Sequence, residues 1–215
     1  GKDIDIKIDG VKCTVTAQQN DQLTCVTGKA TADSDTVLPK LGQPGLLREK
    51  IKSTDSTKTP YWGAFGDGNY PVVEKNLMTS FETYAFNQDV NYQQKLSGWF
   101  TAPATANYRF YISCDDACKL LLDAVNPLSS GTPTSPSVIA YRYYWTQWRN
   151  YFYQNGVNGA EGSDEVHISE WVSLVEGESY YIEGQHIQWS GGEHFTVSVE
   201  IELPSGNSNH PMSNV

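Results

Sequence analysis

Apolar and polar residues alternate along most of this chain with the two-residue period of β-strands. Residues 3–9, DIDIKID, put Ile4, Ile6 and Ile8 on one face, which predicts an antiparallel strand with one wet side. Val11–Ala17 and Leu23–Thr27 predict a hairpin around Gln18-Gln19-Asn20-Asp21. Further strands are predicted at Gly45–Ser53, Lys95–Thr101, Tyr108–Ser113, Lys119–Asp123, Val138–Trp148, His167–Trp171, Ser179–Trp189 and His194–Leu203. One segment departs from this period. In Glu74–Phe86 the residues Leu77, Phe81 and Tyr84 fall at helical spacing, predicting a short helix with its apolar stripe in the core.

Between the strands, Gly28–Pro44 is rich in Thr, Asp, Ser, Gly and Pro and reads as a linker. Ser53–Gly68 reads as a loop anchored by Tyr61, Trp62 and Phe65, and Ala124–Ser137 and Gln154–Asp164 as long loops. The expected division is a strand-rich piece at 1–28, a linker at 29–44, a main domain at 45–203 and a polar connector at 204–215. Three strands in 28 residues cannot enclose a core. They are expected to finish a sandwich begun upstream or to dock on the main domain, as a piece of a longer chain. The strand spacing indicates an all-β sandwich or barrel rather than βαβ units.

Composition supports that class. Thirteen tyrosines, six tryptophans and seven phenylalanines stand against two methionines, and 18 glycines with 10 prolines supply turns. A net charge of −10 offers no basic stripe for nucleic acid or an anionic membrane surface. No apolar run reaches the ~18 residues of a membrane-spanning helix. The four cysteines form two close pairs, Cys13/Cys25 and Cys114/Cys118, which favours two local disulfides and an oxidising compartment over reduced thiols. A zinc site is disfavoured, because the pairs lie far apart and neither has Cys-x-x-Cys spacing.

The chemistry concentrates in SGWFTAPATANYRFYISCDDACKLLLD, Ser97–Asp123. Adjacent carboxylates Asp115 and Asp116 lie between two cysteines at a bend and repel each other. A divalent cation relieves that repulsion, and Ca²⁺, which takes six to eight oxygen ligands, suits two consecutive carboxylates. The alternative is a solvated acidic turn. In an extended strand Cys114 and Cys118 would stand about 13 Å apart by strand rise, so a bridge between them forces Asp115-Asp116-Ala117 into a tight loop. Other constellations are weaker. His186 and His194 can approach across a Gly-Gly hairpin, but two histidines alone make no zinc site. Tyr141–Tyr153, YRYYWTQWRNYFY, is strongly aromatic with Arg142 and Arg149 interleaved. Its alternation assigns the larger part to the core and the rest to glycan or protein contact by stacking.

The run GWFTAPATANYRFYISCDDACKLLLD resembles the centre of a PA14 domain in its Gly-aromatic, Ala-Pro, Tyr-x-Phe, Asp-Asp and Leu-x-x-Asp landmarks. GQPGLLREKI resembles the opening strand of that family. WVSLVEGESYYIEGQHIQWSGGEHFTVSVEI resembles its last two strands with their Gly-Gly turn, so the likeness covers about Gly45–Leu203. VKCTVTAQQNDQLTCVTG within residues 1–28 resembles the end of an IPT/TIG immunoglobulin-like domain. That combination of modules is similar to fibrocystin-like cell-surface proteins.

The PA14 resemblance implies a cis Asp115–Asp116 peptide whose side chains hold a Ca²⁺ that also takes sugar hydroxyls. Sugar-binding members add an Asn and backbone carbonyls from the loop between the last two strands. Here that loop is His186-Ile187-Gln188-Trp189-Ser190-Gly191-Gly192-Glu193-His194, without an Asn. Gln188 and Glu193 are the substitute metal ligands, and Trp189, Ser190, Gly191 and Gly192 are the candidate sugar contacts.

No enzyme signature accompanies this motif. Glycosidases set two carboxylates about 5–5.5 Å or 6.5–9.5 Å apart across the scissile bond, and neighbours in sequence cannot flank a substrate so. No nucleophile elbow, phosphate loop or metalloprotease helix is present. The expectation is a non-catalytic, secreted or cell-surface module for recognition or adhesion, with Ca²⁺ as cofactor and a glycan as partner. The alternative is a purely structural module that contacts neighbouring extracellular protein domains.

Overall fold

The computed structural model describes residues 45–86, 89–127, 136–151 and 166–202, with the side chains of 84–86 excepted, and the backbone of three strands in the first 27 residues. Those three are β1 (Lys7–Ile8), β2 (Val11–Gln19) and β3 (Gln22–Thr27), an antiparallel sheet with a register shift between Val15 and Ala17. Its register sets Cys13 opposite Thr27 and Cys25 opposite Val15. The expected Cys13–Cys25 bridge concerns side chains outside the described residues. The linker over 29–44, the loop over 154–164 and the tail over 204–215 lie outside them too.

The main domain is built from two antiparallel sheets. The larger holds β4 (Leu46–Lys52), β5 (Val72–Met78), β7 (Tyr92–Thr101), β9 (Ala117–Leu122), β10 (Ser137–Arg142) and β12 (Ser179–Gln188), in the order β10-β9-β12-β7-β4-β5. The smaller holds β6 (Glu82–Phe86), β8 (Ala106–Asp115), β11 (Val172–Leu174) and β13 (Gly192–Ile201), in the order β11-β8-β13-β6. Strand alternation turns one face of each sheet inward. Leu96 and Phe100 of β7, Ile182 of β12 and Leu120 and Leu122 of β9 meet Tyr108, Phe110 and Ile112 of β8 and Phe195, Val197 and Val199 of β13. Phe100 packs edge-to-face on both Tyr108 and Phe110, with ring centroids 5.6 and 5.5 Å apart, the favoured arrangement of aromatic pairs.

The predicted helix over Glu74–Phe86 is not formed, and no helix occurs among the described residues. Two strands take its place, in different sheets: β5 pairs with β4, and β6 pairs with β13. The sequence offers little to a helix here, since Val72, Val73, Asn76, Thr79, Ser80 and Thr83 are all weak helix formers. Phe81 supplies the deciding contact. It is fully buried beside the bend at Thr79-Ser80 and meets Phe195 edge-to-face at 5.8 Å. The predicted strand Val138–Trp148 stops at Arg142, and 143–151 crosses the outside of the smaller sheet without strand pairing. Thr146 explains that path, because its N–H donates to the Cys114 carbonyl at 2.7 Å. His167–Trp171 contributes only a bridge of Ile168 to Tyr111, and the strand itself lies at Val172–Leu174.

The segment over 53–71 lies against the outer face of the larger sheet. Its buried anchors are Ala64 and Tyr70, clustered with Ile51, whereas the expected anchor Tyr61 stays half exposed and donates its hydroxyl to Asp67. Trp62 and Phe65 do hold the segment down, under the ammonium groups of Lys119 at 4.4 Å and Lys95 at 4.7 Å. No helix among the described residues is long and apolar enough to cross a membrane.

Gly184, in the middle of β12, is where the sheets approach each other most demandingly. A Cβ there would stand 2.4 Å from the Phe195 ring and 2.5 Å from the Phe81 ring. Gly184→Ala is therefore expected to destabilise the chain by about 1–3 kcal/mol, the usual cost of an overpacked core. Urea denaturation measures it, and a midpoint equal to that of the wild type would show that the two rings yield freely.

Candidate functional site

Two chain crossings between the sheets coincide at one end of the sandwich. The chain leaves β8 for β9 through Asp115–Ala117, and leaves β12 for β13 through Trp189–Gly191. Register makes the crossings neighbours, because Ile187 pairs with Ala117 in one sheet and His194 with Asp115 in the other. The Asp-Asp peptide and the Gly-Gly turn, about seventy residues apart in sequence, thus form a single surface.

The Asp115–Asp116 peptide is cis. A Cys114–Cys118 disulfide closes the bend, with Cα atoms 6.2 Å apart and both cysteines fully buried. Asp116 Oδ2 accepts the backbone N–H groups of Trp189 at 2.7 Å and Ser190 at 3.2 Å, tying the acidic bend to the turn. Asp115 Oδ2 lies over Gly192, where a Cβ would come within 3.1 Å, and Gly191 adopts φ +87°, which favours glycine. The turn thus favours glycine at 191, and a side chain at 192 would crowd the Asp115 carboxylate. Asn91 N–H donates to the Trp189 carbonyl at 3.2 Å and braces the turn from the other side.

Burial, the adjacent Asp116 charge and a hydrogen bond between the two carboxyls push Asp115 up to about 7. Burial is the largest of these causes and the Asp116 charge the next; a divalent cation held by both carboxylates would offset the repulsion between them. Hard, paired carboxylate oxygens beside an open glycine turn fit Ca²⁺ by donor type. Asp115 and Asp116 are the residues that would hold it, and the cation would supply positive charge and further coordination positions toward solvent.

Of the other residues singled out in sequence, Trp189, Ser190, Gly191 and Gly192 join this surface, with Trp189 39% exposed. Gln188 and Glu193 do not face it. Alternation along β12 and β13 turns both between the sheets. Gln188 is fully buried, and its Nε2 donates to the Gly192 carbonyl at 2.8 Å, holding the turn from beneath. Burial raises Glu193, against the lowering effect of Lys50 and Tyr92. Among the described residues no donor meets Gln188 Oε1 or Glu193 Oε2.

The two histidines are buried and serve different sheets. His194 Nε2 lies 3.3 Å from Ser113 Oγ, and burial holds His194 down at about 4. Burial likewise depresses His186 to about 3. Among the described residues no three His, Cys, Asp or Glu side chains converge on one point. The aromatic stretch 141–151 is more exposed than its alternation implied. Arg142, Thr146 and Tyr151 are buried, while Tyr143, Tyr144 and Trp148 are each more than 40% exposed. Trp148 Nε1 donates to Glu82 at 2.8 Å, Arg149 donates to both oxygens of Glu82, and the Arg149 guanidinium covers the Trp148 ring at 4.4 Å. Ser113 Oγ donates to the Gln147 carbonyl at 3.0 Å, which lays this aromatic segment two residues from Asp115. Sequence spacing carried no signal for Asn91, which acts through its backbone N–H, or for Thr146, which acts through both its N–H and its hydroxyl, because their partners are distant in the chain.

Known proteins bear on this geometry through fold. No family model matches the chain. It is 24% identical over 200 residues to fibrocystin of Canis lupus familiaris, covering 91% of this chain and 4% of that protein, so it spans a small fraction of its curated relative's length. The Epithelial Adhesin 6 A domain of Candida glabrata, solved with Galβ1-3GlcNAc, superposes with a TM-score of 0.51 at 17% identity, over 83% of this chain and 87% of that one. The Epithelial Adhesin 9 A domain of the same organism, also solved with Galβ1-3GlcNAc, superposes at 0.50 and 14% identity, over 80% and 88%. The sandwich is PA14-like. At these identities the likeness is one of fold, and the site must be judged on its own residues.

The pH dependence has a definite sign. Asp115 is raised from an ordinary 3.8 to about 7, so its folded state favours the neutral acid, and its contribution to stability falls as pH rises from about 4 through 7. His186 and His194 are depressed and act oppositely, losing stability as pH falls below the ordinary histidine range toward 4 and 3. The two effects separate in a difference experiment. With chelator present, Asp115→Asn is expected to gain thermal stability relative to wild type progressively between pH 4 and 7 and to hold that gain above 7. A pH-independent difference would mean that the two carboxyls do not repel each other in the folded chain.

Proposed function

We propose that this chain is a non-catalytic extracellular recognition or adhesion module that binds carbohydrate through a Ca²⁺ held by Asp115 and Asp116. One observation carries the proposal: two adjacent carboxylates that repel each other, Asp116 held by two backbone donors of the glycine turn, lie together at one end of the sandwich. A cation there keeps coordination positions toward solvent that vicinal saccharide hydroxyls can fill. Exposed Trp189, on the turn beside the two carboxylates, supplies an apolar face for a sugar ring. The two adhesin domains of similar fold were each solved with a galactose-containing disaccharide, which supports the ligand class.

The module is read as non-catalytic because neighbouring carboxylates on one bend cannot stand on opposite sides of a glycosidic bond. The buried Cys114–Cys118 disulfide supports an oxidising, extracellular setting. The likeness to a stretch of fibrocystin supports placement within a longer cell-surface chain; the reading of β1–β3 as the closing strands of an IPT/TIG-like domain rests on the sequence resemblance of residues 11–28.

Calorimetry with Ca²⁺ alone tests the metal step. Wild type is expected to give a saturable one-site isotherm, and Asp116→Asn to lose it. A glycan array read with and without chelator then tests the sugar step, with chelator-sensitive signal as the expected result. Absence of both signals would leave the structural role, contact with neighbouring protein domains, as the function of this module.

A further inference from the structure

A hydrogen-bonded line of side chains crosses the sandwich and ends on the peptide between the two aspartates. It begins at Glu74 on the edge strand β5, which accepts from Arg48 Nη1 on β4 at 2.6 Å. Arg48 Nε donates to Gln94 Oε1 on β7 at 2.6 Å. Gln94 Nε2 donates to His186 Nδ1 on β12 at 2.8 Å and to Thr83 Oγ1 on β6 at 2.9 Å. His186 Nε2 then donates to the Asp115 carbonyl on β8 at 2.5 Å.

The polarity of every link is forced. A guanidinium only donates, so the Gln94 oxygen faces Arg48 and its amide nitrogen faces His186. A carbonyl only accepts, so the His186 proton is on Nε2. Gln94 and His186 are both fully buried, and the imidazole is stacked on Phe195 at 5.8 Å and meets Tyr92 edge-on at 6.0 Å. The ring has no freedom to serve another partner. On the other side of the same peptide, Asp116 N–H donates to the Ile187 carbonyl at 3.3 Å. Consecutive residues of β12 therefore grip both polar atoms of the Asp115–Asp116 peptide.

A line of buried polar groups contributes little net stability over an apolar filling, so stability alone does not account for it. We infer that the Arg48–Gln94–His186 line is a positioning device for the Asp115–Asp116 pair, with His186 as its last positioning residue. By holding the Asp115 carbonyl inside the sandwich, His186 fixes the peptide from which the two carboxylates project. Arg48 and Gln94 act at one remove, by fixing the tautomer and angle of the imidazole. This rests on the Ca²⁺ reading of the site wherever affinity is the measure, so the test carries a second measure that does not.

The experiment uses the full 215-residue chain, ¹⁵N- and ¹³C-labelled. In wild type the His186 imidazole is expected as the pure Nε2–H tautomer. Gln94→Met is expected to mix the tautomers and to move the Asp115 carbonyl ¹³C resonance, an effect that loss of packing elsewhere would not give. In calorimetry with Ca²⁺ alone, Gln94→Met and Arg48→Met are expected to weaken affinity about tenfold or more, as outer partners of metal ligands do, and Arg48→Lys to recover most of it. Arg48 is only partly buried, unlike Gln94, so its variants remain informative if Gln94→Met fails to fold, with the same two resonances read in Arg48→Met. Unchanged resonances in a folded variant, or unchanged Ca²⁺ affinity alongside its loss in Asp116→Asn, would overturn the inference. If wild type takes no Ca²⁺, the metal reading fails alone. The line is then judged by the resonances: movement supports it and constancy overturns it.

Discussion

The close approach of the two sheets at Gly184 governs the geometry of everything built around it. Phe195 from the smaller sheet and Phe81 from the bend before it lie over a strand that offers no side chain at that point. This contact sets the depth at which β13 lies over β12, and with it the height of the turn that joins them. Because β12 also pairs with β9, and β13 with β8, the same contact fixes where the β8–β9 crossing emerges. The acidic bend and the glycine turn meet because four strands in two sheets share one register. Nothing in the bend itself would bring the turn to it.

Electrostatics at that end follow from how the backbone is consumed. Asp116 is stabilised by two N–H donors of the turn, whereas burial and its charged neighbour penalise Asp115. His186 occupies the carbonyl between them, and the disulfide closes the loop from below. The backbone at that end is tied by hydrogen bonds and the disulfide, while the two acids crowd each other. Around it the exposed aromatics are held by ionic clamps such as Glu82 with Arg149 rather than by the core.

Where a residue's environment is set by its immediate neighbours in sequence, its role was legible. Alternation located most strands of both sheets, since a half-buried strand must write its period into the chain. The adjacent Asp115 and Asp116, with cysteines on either side, announced a charged and constrained bend without help from anything distant. Legibility failed where two periods coincided. Leu77, Phe81 and Tyr84 satisfy a helical spacing, yet Phe81 is buried by Phe195, more than a hundred residues away, and no local window contains that contact. Gln188 and Glu193 show the same limit in the site. Their oxygen chemistry suits a cation, and only the handover from β12 to β13 turns both inward.

The all-β class, the acidic bend with its flanking cysteines and the glycine turn were written in the chain, because each follows from local periodicity or local sterics. Three other features needed the packed sandwich. Glu74–Phe86 became two strands in different sheets, and Tyr143, Tyr144 and Trp148 came to face solvent. Arg48, Gln94 and His186, on three separate strands, lined up on a single peptide bond. Side chains from different strands meet through register and sheet packing, and those are set by the burial of the whole core at once rather than by any one segment.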